Sequence, residues 1–320
     1  LVDPSEGGFA VAKDKKGQVA KGNLRYSGDS EGYEYEWSMA KQQYEILGEA
    51  NIDGDSPAYL HDLFCWSTTK NYCGVYSYPY DDDSDAYFKG DFVDWGTDDK
   101  LASNLGTGWS TLTKDEWGYL LTERENAATK KAVATITIDD ENSMKGILLL
   151  PDEWTAPTGA PAIDGSAVAL TLEQWTALET AGAVFLPAAG QMISTYDSGS
   201  WTTTTNLTEA STYWTSTPSG DKSDLNAIVL TIGDEGATID ADLYRRVYTA
   251  VRLVKEVPAI IKGDANNDGK VDIADIVYVV AFIKDGTRLP GFNEKAANAD
   301  SNDKVDENDI TAIENIIMTP

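Results

Sequence analysis

Apolar and polar residues alternate with a period of two near the start of the chain. Tyr33, Tyr35 and Trp37 are separated by glutamates, and this pattern predicts an antiparallel strand with one aromatic face and one solvated, acidic face. Residues 9–47 contain several short stretches of this kind between glycine-rich turns. Residues 48–108 are rich in Asp, Gly and Ser with scattered aromatics, which predicts long irregular segments.

Two segments further along have the signature of a helix N-terminus. Thr113 is followed three residues later by Glu116, and Thr171 is followed by Gln174, so each pair predicts a capping box. A tryptophan and a leucine follow each box at helical spacing and predict a buried face. Gly182 is expected to end the second helix.

The remaining apolar segments have the length and β-branched composition of strands. KAVATITID and MKGILLLP predict a hairpin around residues 139–143, AVFLPAAG predicts a buried strand ending at Pro187, and STYWTSTP, NAIVLTIG and YRRVYTAVRLV predict a last sheet. The polar stretches 191–212, 218–226 and 233–243 are interpreted as loops. Antiparallel sheets with two helices predict an α+β fold for this part of the chain.

The pattern changes near the C-terminus, where oxygen-bearing side chains occupy alternate positions of the segment GDANNDGKVDIAD. A hard cation takes six to eight oxygen ligands, which a loop supplies by wrapping around it, and Gly269 provides the sharp turn. Five side chains and the main-chain carbonyl of a lysine are the expected ligands: Asp264, Asn266, Asp268, Asp272, Asp275 and Lys270.

A second copy of this loop begins thirty-four residues later, with a ligand set in the same order: Asn298, Asp300, Asn302, Asp306, Asp309 and the main chain of Lys304. Asn298 replaces an acid at the first position and Asp303 replaces the glycine. This loop therefore carries three ligand carboxylates where the first carries four. Because ligand charge helps to set affinity, the second site is expected to bind more weakly.

Each loop is followed by an amphipathic segment that predicts a helix. A helical stripe after the first loop corresponds to one after the second, and together they predict one shared core: Ile276, Val279, Phe282 and Ile283 match Ile310, Ile313, Ile316 and Ile317. The segment before the first loop is β-branched and broken by Pro258, so no helix is expected to enter that loop.

A duplicated loop and helix with Asp at the last ligand position resembles a dockerin, the module that attaches a secreted protein to a cohesin domain. The resemblance covers residues 258–320 and implies a small all-α module with two structural calcium ions. It also implies that the outer face of the first helix contacts the partner, through Ile273, Ala274, Val277, Val280 and Ala281. The alternative is that this apolar face packs on the protein's own larger domain.

The composition of the chain excludes some classes of function and partner. The net charge of −28 argues against nucleic acid as a partner. No apolar run approaches the roughly 20 residues of a membrane-spanning helix, so no membrane span is expected. The first residues have neither a basic region nor a leader core. We expect a secreted or bacterial cell-surface protein whose signal sequence is not in this chain.

Few side chains are available for thiolate or nucleophilic chemistry. Cys65 and Cys73 are the only cysteines and His61 is the only histidine, so most zinc sites and Ser/His/Asp triads lack a member. Either a disulfide or two buried thiols fits the cysteine spacing. His61 lies in an apolar run and is interpreted as structural, and the acidic run at 81–85 is interpreted as a solvated loop.

The order of segments before the dockerin-like module also carries a resemblance. Two capped helices with Trp after the acidic residue, followed by LPAAG, YWTSTP and VRLV, resemble the C-type lectin-like fold. The form is similar to the Fibrobacter succinogenes major paralogous domain of Bacteroides-type surface proteins. The resemblance runs from about residue 9 to 254 of a domain spanning 1–257, and it implies twisted antiparallel sheets with two helices.

In folds of this type the binding face is generally built by the late loops, here about 191–212, 218–226 and 233–248. The sugar-binding motifs of calcium-dependent lectins do not occur in this sequence, so calcium-mediated sugar binding by this domain is not expected. Aromatic residues set among polar ones are the candidate contacts to a glycan or protein ligand: Tyr196, Trp201 and Tyr244.

Formylglycine-generating enzymes share this fold, and WSTLTKDEW resembles their helix motif. Their chemistry needs a pair of redox cysteines late in the chain, and no cysteine follows Cys73. We therefore expect a non-catalytic binding protein that attaches to a cohesin-bearing partner through a calcium-dependent module. The alternative is an enzyme on the lectin-like fold, formylglycine-generating-like or glycan-active.

Overall fold

The computed structural model describes residues 8–28, 34–51, 60–66, 90–197, 200–206, 211–220, 225–257, 261–300, 302 and 304–319. The chain divides into two compact units, Leu1–Val257 and Pro258–Pro320, called here the first and the second unit. Mostly antiparallel sheets and a few helices make the structure α+β.

Strands form most of the regular structure of the first unit. In the described residues they are β1 (Phe9–Ala12), β2 (Lys15–Val19), β3 (Leu24–Gly28), β4 (Tyr35–Met39), β5 (Leu63–Phe64), β6 (Trp109–Thr111), β7 (Lys131–Thr137), β8 (Ser143–Leu149), β9 (Val168–Thr171), β10 (Val184–Pro187), β11 (Gln191–Asp197), β12 (Ser200–Asn206), β13 (Ser211–Pro218), β14 (Asn226–Gly233), β15 (Gly236–Tyr244), β16 (Tyr248–Ala250) and β17 (Leu253–Val257).

These strands form three larger sheets and one ribbon. The first sheet has the order β1-β2-β17-β6, and the second has the order β10-β8-β7-β9. The third has the order β12-β11-β16-β13-β14-β15, with β5 beside β16, and β3 pairs with β4. Only β7 with β9 and β13 with β16 run parallel among the described pairs. The pairing of Val254 with Val19 joins the two ends of the unit.

A short helix, α1 (Asp99–Leu105), lies in a region that the sequence pattern assigned to irregular structure. The prediction for residues 48–108 is wrong at this point. The Asp98 carboxylate accepts the N–H of Leu101 at 2.8 Å and caps the helix. An N-cap aspartate was therefore the sequence signal for this helix.

The two capping boxes are confirmed. Helix α2 (Lys114–Gly118) begins where Thr113 and Glu116 exchange side-chain to main-chain hydrogen bonds. Helix α3 (Leu172–Thr180) begins in the same way, at Thr171 and Gln174. The tryptophan after each box is buried, as its spacing predicted.

Two polar stretches interpreted as loops are strands instead. Residues 191–206 form the hairpin β11–β12, paired in register from Gln191 with Asn206 to Asp197 with Ser200. Most of the predicted loop at 233–243 belongs to β15. The loop prediction for residues 191–206 failed because Ser and Thr produce a polar pattern, whereas β-branched Thr favours extended backbone. The predicted strands around residues 139–143 and the buried strand ending at Pro187 are confirmed.

Arg252 is buried in the core of the first unit, where its hydrogen bonds connect segments that are distant in the chain. Its guanidinium donates to the side-chain oxygen of Asn23 at 3.0 Å and to the carbonyl oxygens of Ala20 and Phe185, both at 2.8 Å. Asn23 in turn donates to the Tyr213 hydroxyl at 3.2 Å. One cation therefore joins chain segments from the beginning, middle and end of the unit.

The second unit contains three helices in its described residues: α4 (Ile273–Asp285), α5 (Glu294–Ala297) and α6 (Glu307–Met318). Its core holds Ala265, Val279, Ala297 and Ile313, none of which has exposed surface. Residues 261–263, the described residues directly before the first loop, form no helix, in agreement with the prediction that no helix enters it.

Arg252→Met is expected to destabilise the first unit by about 3 kcal/mol or more, because three buried acceptors lose their donor. All nine tryptophans precede residue 258, so urea unfolding followed by tryptophan fluorescence reports this unit alone. Lys145→Met is the control, since Lys145 pairs with the exposed Asp234 and an exposed pair contributes little. Equal effects of the two substitutions would contradict the structural role of Arg252.

Candidate metal centres

The first loop depends on residues that accept a left-handed backbone. Gly263, Asn267 and Gly269 have φ angles of 93°, 60° and 88°, in a region that glycine and asparagine tolerate better than most residues. A Cβ added at Gly269 would meet nothing within 4 Å. The glycine predicted to make the sharp turn is therefore required by backbone conformation and not by crowding.

Asp275 connects this loop to the helix that follows. Its carboxylate has no exposed surface, and its two oxygens accept the N–H groups of Asn266 at 3.0 Å and Asp272 at 2.8 Å. The Asp272 carboxylate caps α4 by accepting the N–H of Ala274 at 2.7 Å. The last ligand position thus lies in the first turn of α4 and also holds the beginning of the loop.

Asp264 occupies the opposite end of the same loop. It is 4 % exposed, and its oxygens accept the N–H groups of Asp268 at 3.0 Å and Gly269 at 2.9 Å. The side-chain oxygen of Asn266 also accepts the Asp268 N–H, at 2.9 Å. Side-chain oxygens of Asp264, Asn266 and Asp275 therefore all accept main-chain N–H groups of one short loop.

The second loop repeats this arrangement around Asp309. This carboxylate is fully buried and accepts the N–H groups of Asp300 at 3.1 Å and Asp306 at 2.8 Å. Asp306 caps α6 by accepting the N–H of Asn308 at 2.8 Å. That hydrogen bond, with help from Lys304, lowers the pKa of Asp306, so this ligand is ionised at neutral pH.

Asn298, at the first ligand position of the second loop, has one satisfied and one unsatisfied polar atom. Its amide nitrogen donates to the carbonyl oxygen of Asn302 at 2.6 Å. Its side-chain oxygen is buried and has no hydrogen-bond partner among the described residues. A buried polar atom without a partner is costly, and an amide oxygen is a normal ligand for a hard cation. The residues present therefore fit a cation at this position.

The ligands expected in the two loops include neutral oxygens as well as carboxylates. Within the described part of the chain, no group of three or more His, Cys, Asp or Glu side chains is arranged to hold an ion. The four aspartates expected to hold an ion in the first loop are therefore not brought together as such a group. In the second loop, half of the expected ligands are oxygens of other kinds, namely two asparagine side chains and one main-chain carbonyl. Asp303 of this loop lies outside the described residues.

The apolar outer face predicted for α4 is exposed. Ile273, Val277 and Val280 are 71 %, 57 % and 45 % exposed and form one ridge at helical spacing. Ala274 and Ala281 beside them are half-buried. Large apolar side chains in a continuous exposed patch are typical of an interaction surface.

The corresponding face of α6 is polar, and all five of its residues are exposed: Glu307, Asn308, Thr311, Glu314 and Asn315.

The apolar stripe of α6 that was predicted to be buried differs from the prediction at its C-terminal end. Ile316 and Ile317 are 40 % and 38 % exposed, although both were assigned to the shared core. Phe282 of α4 occupies the position that matches Ile316. Its ring stacks on the ring of Phe292, with 4.8 Å between the ring centres. Ile316 and Ile317 lie in the last turn of α6.

The ligand contacts predicted for the larger domain lie on strands. Tyr196 and Trp201 face each other in the register of β11 and β12, and only their main chain is described. Tyr244 ends β15, is half-buried, and has the Arg246 guanidinium 4.8 Å from its ring centre. The binding-face loops at 191–212 and 233–248 are therefore largely replaced by paired strands.

The reactive residue types occupy structural positions. Cys65 is a fully buried free thiol whose sulfur donates to the carbonyl oxygen of Arg246, and burial raises its pKa. His61 exchanges main-chain hydrogen bonds with Tyr26. Neither ring nitrogen of His61 has a partner among the described residues. Cys73 and the acidic run at 81–85 lie outside those residues.

No family model, no curated protein and no solved structure matches this chain. Among the described residues there is no helix both long enough and apolar enough to cross a membrane.

His61 is expected to titrate in the folded protein at a pH of about 4, because burial lowers its pKa from 6.5. The neutral ring therefore stabilises the fold fully above pH 6.5, and this contribution is lost as the pH falls towards 4. As the only histidine, it gives one imidazole signal in an NMR titration. The same signal in urea should titrate near 6.5, and a folded-state midpoint there would refute the expectation.

Proposed function

We propose that this protein is a non-catalytic binding protein that attaches to a cohesin-type partner through a calcium-dependent, dockerin-like second unit. The observation that carries the proposal is the matched pair of loops ending in the buried carboxylates Asp275 and Asp309. Each carboxylate holds the beginning of its loop and lies in the first turn of its helix. The state of the loop is thereby linked to the position of the helix.

Calcium suits these loops because their ligands are oxygens from carboxylates, amides and one main-chain carbonyl. When bound, the ion supplies positive charge that offsets four ligand carboxylates in the first loop and three in the second. In the proposal Asp264 and Asp275, with their counterparts Asn298 and Asp309, keep their positions through main-chain contacts. The more exposed ligands, such as Asp268 and Asp300, complete the shell.

The apolar ridge of α4 is the proposed contact with the partner. Asp272 and Asp275 fix the first turn of this helix through the capping box, and the ridge begins one residue after Asp272. The polar face of α6 contributes at most polar contacts. A surface that depends on loop closure is expected to bind its partner only when the loops are loaded.

The first unit is proposed as the recognition part of the protein, with a C-type lectin-like fold and a glycan or protein ligand. Its support is the order of two capped helices within antiparallel sheets, together with the pairing of β2 and β17 that joins the ends of the unit. A secreted or cell-surface location belongs to the same proposal, since cohesin-bearing partners are found there.

Removal of calcium is expected to destabilise the second unit and spare the first. At free calcium about a thousand times a site's dissociation constant, binding at that site stabilises the folded state by about 4 kcal/mol. Calorimetry should show one transition that moves to lower temperature in chelator. The transition followed by tryptophan fluorescence, which reports residues before 258, should not move. Identical calorimetric traces with calcium and with chelator would refute calcium binding.

The two sites are expected to differ in affinity. Asp268→Ala and Asp300→Ala form a matched pair, because each removes one exposed ligand carboxylate from one loop. In a calcium titration by calorimetry, Asp268→Ala should remove the tighter binding step and Asp300→Ala the weaker one, since the first loop has more carboxylates. The reverse assignment would contradict the order of affinities.

Ile273→Asp combined with Val280→Asp is expected to weaken cohesin binding by about a hundredfold or more, because buried charges replace apolar contacts at the interface. Thr311→Asp on α6 is the matched control and should leave binding unchanged. Binding to a panel of purified cohesin domains is measured in calcium, together with the melting temperature of each variant. Lower stability with unchanged binding would instead indicate that the ridge packs on the protein's own first unit.

A further inference from the structure

A half-open cleft of about 700 Å³ lies in the first unit between β1, α2 and β15. Val11, Leu121 and Ile239 give it an apolar floor, and polar side chains line its rim. Tyr244, the candidate ligand contact whose side chain is described, does not line it. The cleft is a further candidate site, of a size typical for ligand pockets, and its β15 residues belong to the late stretch 233–248.

The helix beside the cleft is held at both ends. Lys15 donates to Glu116 at 2.6 Å near the start of α2. Arg124, just after the helical segment, is buried and donates to the carbonyl oxygens of Leu150 at 2.9 Å and Lys130 at 3.2 Å. A binding surface on such a fixed element requires little ordering when a ligand binds.

Gly118 leaves space on the cleft side of this helix. Its backbone is helical, with φ −56° and ψ −49°, so the conformation does not require glycine. Glycine weakens a helix, yet a Cβ at this position would meet nothing within 4 Å. The helix then widens into a π-turn over Tyr119–Glu123, where the N–H of Arg124 donates to the carbonyl of Tyr119. Single π-turns are frequent at functional sites.

Two sheet edges flank the cleft. β1 is the terminal strand of its sheet and β15 is the terminal strand of the largest sheet. Among the described residues, no strand pairs with the outer side of β15. Ala237, Thr238 and Ile239 of β15 line the cleft. An unpaired edge beside an apolar groove is the arrangement by which sheets take up an additional extended strand.

The charged residues at the rim are balanced. Lys13 and Lys114 carry positive charge, and Asp115, Glu116 and Glu123 carry negative charge. Glu116 is paired with Lys15 beside the cleft, and counting that lysine the charges cancel. A rim without net charge gives no advantage to a strongly acidic or basic ligand. The selectivity of the cleft is therefore expected to depend on shape and apolar contact.

We propose that this cleft binds an extended peptide segment, which adds as a strand to the edge of β15 that no described strand covers and places an apolar side chain in the space over Gly118. The proposal rests on the recognition role proposed for the first unit. It is independent of the calcium loops, which lie in the other unit. The occupant is a protein ligand with an exposed extended segment in which apolar and polar residues alternate.

The test uses the full-length chain and three blocked hexapeptides in which threonine alternates with valine, leucine or phenylalanine. Binding is followed by NMR in calcium and in chelator. At least one peptide is expected to shift the amide signals of residues 118–122 and 237–239 equally in both conditions. Lack of binding by all three at millimolar concentration would overturn the proposal. The calcium-dependent transition of the second unit would be unaffected by that result.

Gly118→Leu is the diagnostic variant. It fills the cleft on a helical backbone, so affinity for the peptide should fall by roughly tenfold or more, with a melting temperature equal to or above that of the parent. Thr176→Leu, at an exposed position of α3, is the matched control and should bind normally. A folded Gly118→Leu variant with unchanged affinity would refute the location of the site.

Strand addition has a further signature in the peptide itself. In a strand, alternate N–H groups point to the same neighbour. Two probes, N-methylated at odd or at even positions, should therefore differ, with one losing binding and the other retaining it. Equal binding of both would show that side chains alone hold the peptide. The proposed strand addition would then be wrong.

Discussion

The second unit depends on the burial of two carboxylates. Asp275 and Asp309 have no exposed surface, and a charge removed from water must find compensating partners. Each finds them in two N–H groups of its own loop, one near the beginning and one just before the helix. Because the same residue lies in the first helical turn, the loop cannot open without exposing or stranding that charge. This constraint links the two oxygen-rich loops to the helices and to the surface that α4 presents.

The two halves of the second unit have kept what burial requires and changed elsewhere. Val279 and Ile313 occupy matching positions in one core, where a change of volume is costly. On the outer faces, Ile273 and Val277 of α4 correspond to charged or polar residues of α6, since a solvated position imposes no packing constraint. The duplicated module therefore has one exposed apolar face, on α4, and one exposed polar face, on α6.

In the first unit, some elements are defined by neighbouring residues and others are held by hydrogen bonds between distant parts of the chain. Thr113 and Glu116 define the start of α2 within four residues of sequence. Arg252 instead joins segments that are far apart in the chain. The cleft beside α2 arises from both kinds of constraint, because a locally capped helix is held against strands from opposite ends of the unit. The open space at Gly118 belongs to a cleft only because α2 is held in this position.

The sequence by itself determined the features that depend on neighbouring residues: the capping boxes, the alternating strands and the two oxygen-rich loops. It did not determine the hairpin at 191–206, because a Ser/Thr-rich stretch is polar whether it forms a loop or a strand. Nor did it show that Ile316 and Ile317 are partly exposed. Periodicity identifies a helix face, whereas burial depends on what packs against it. Only the tertiary structure decided which stripes were covered and where two sheet edges met to form a cleft.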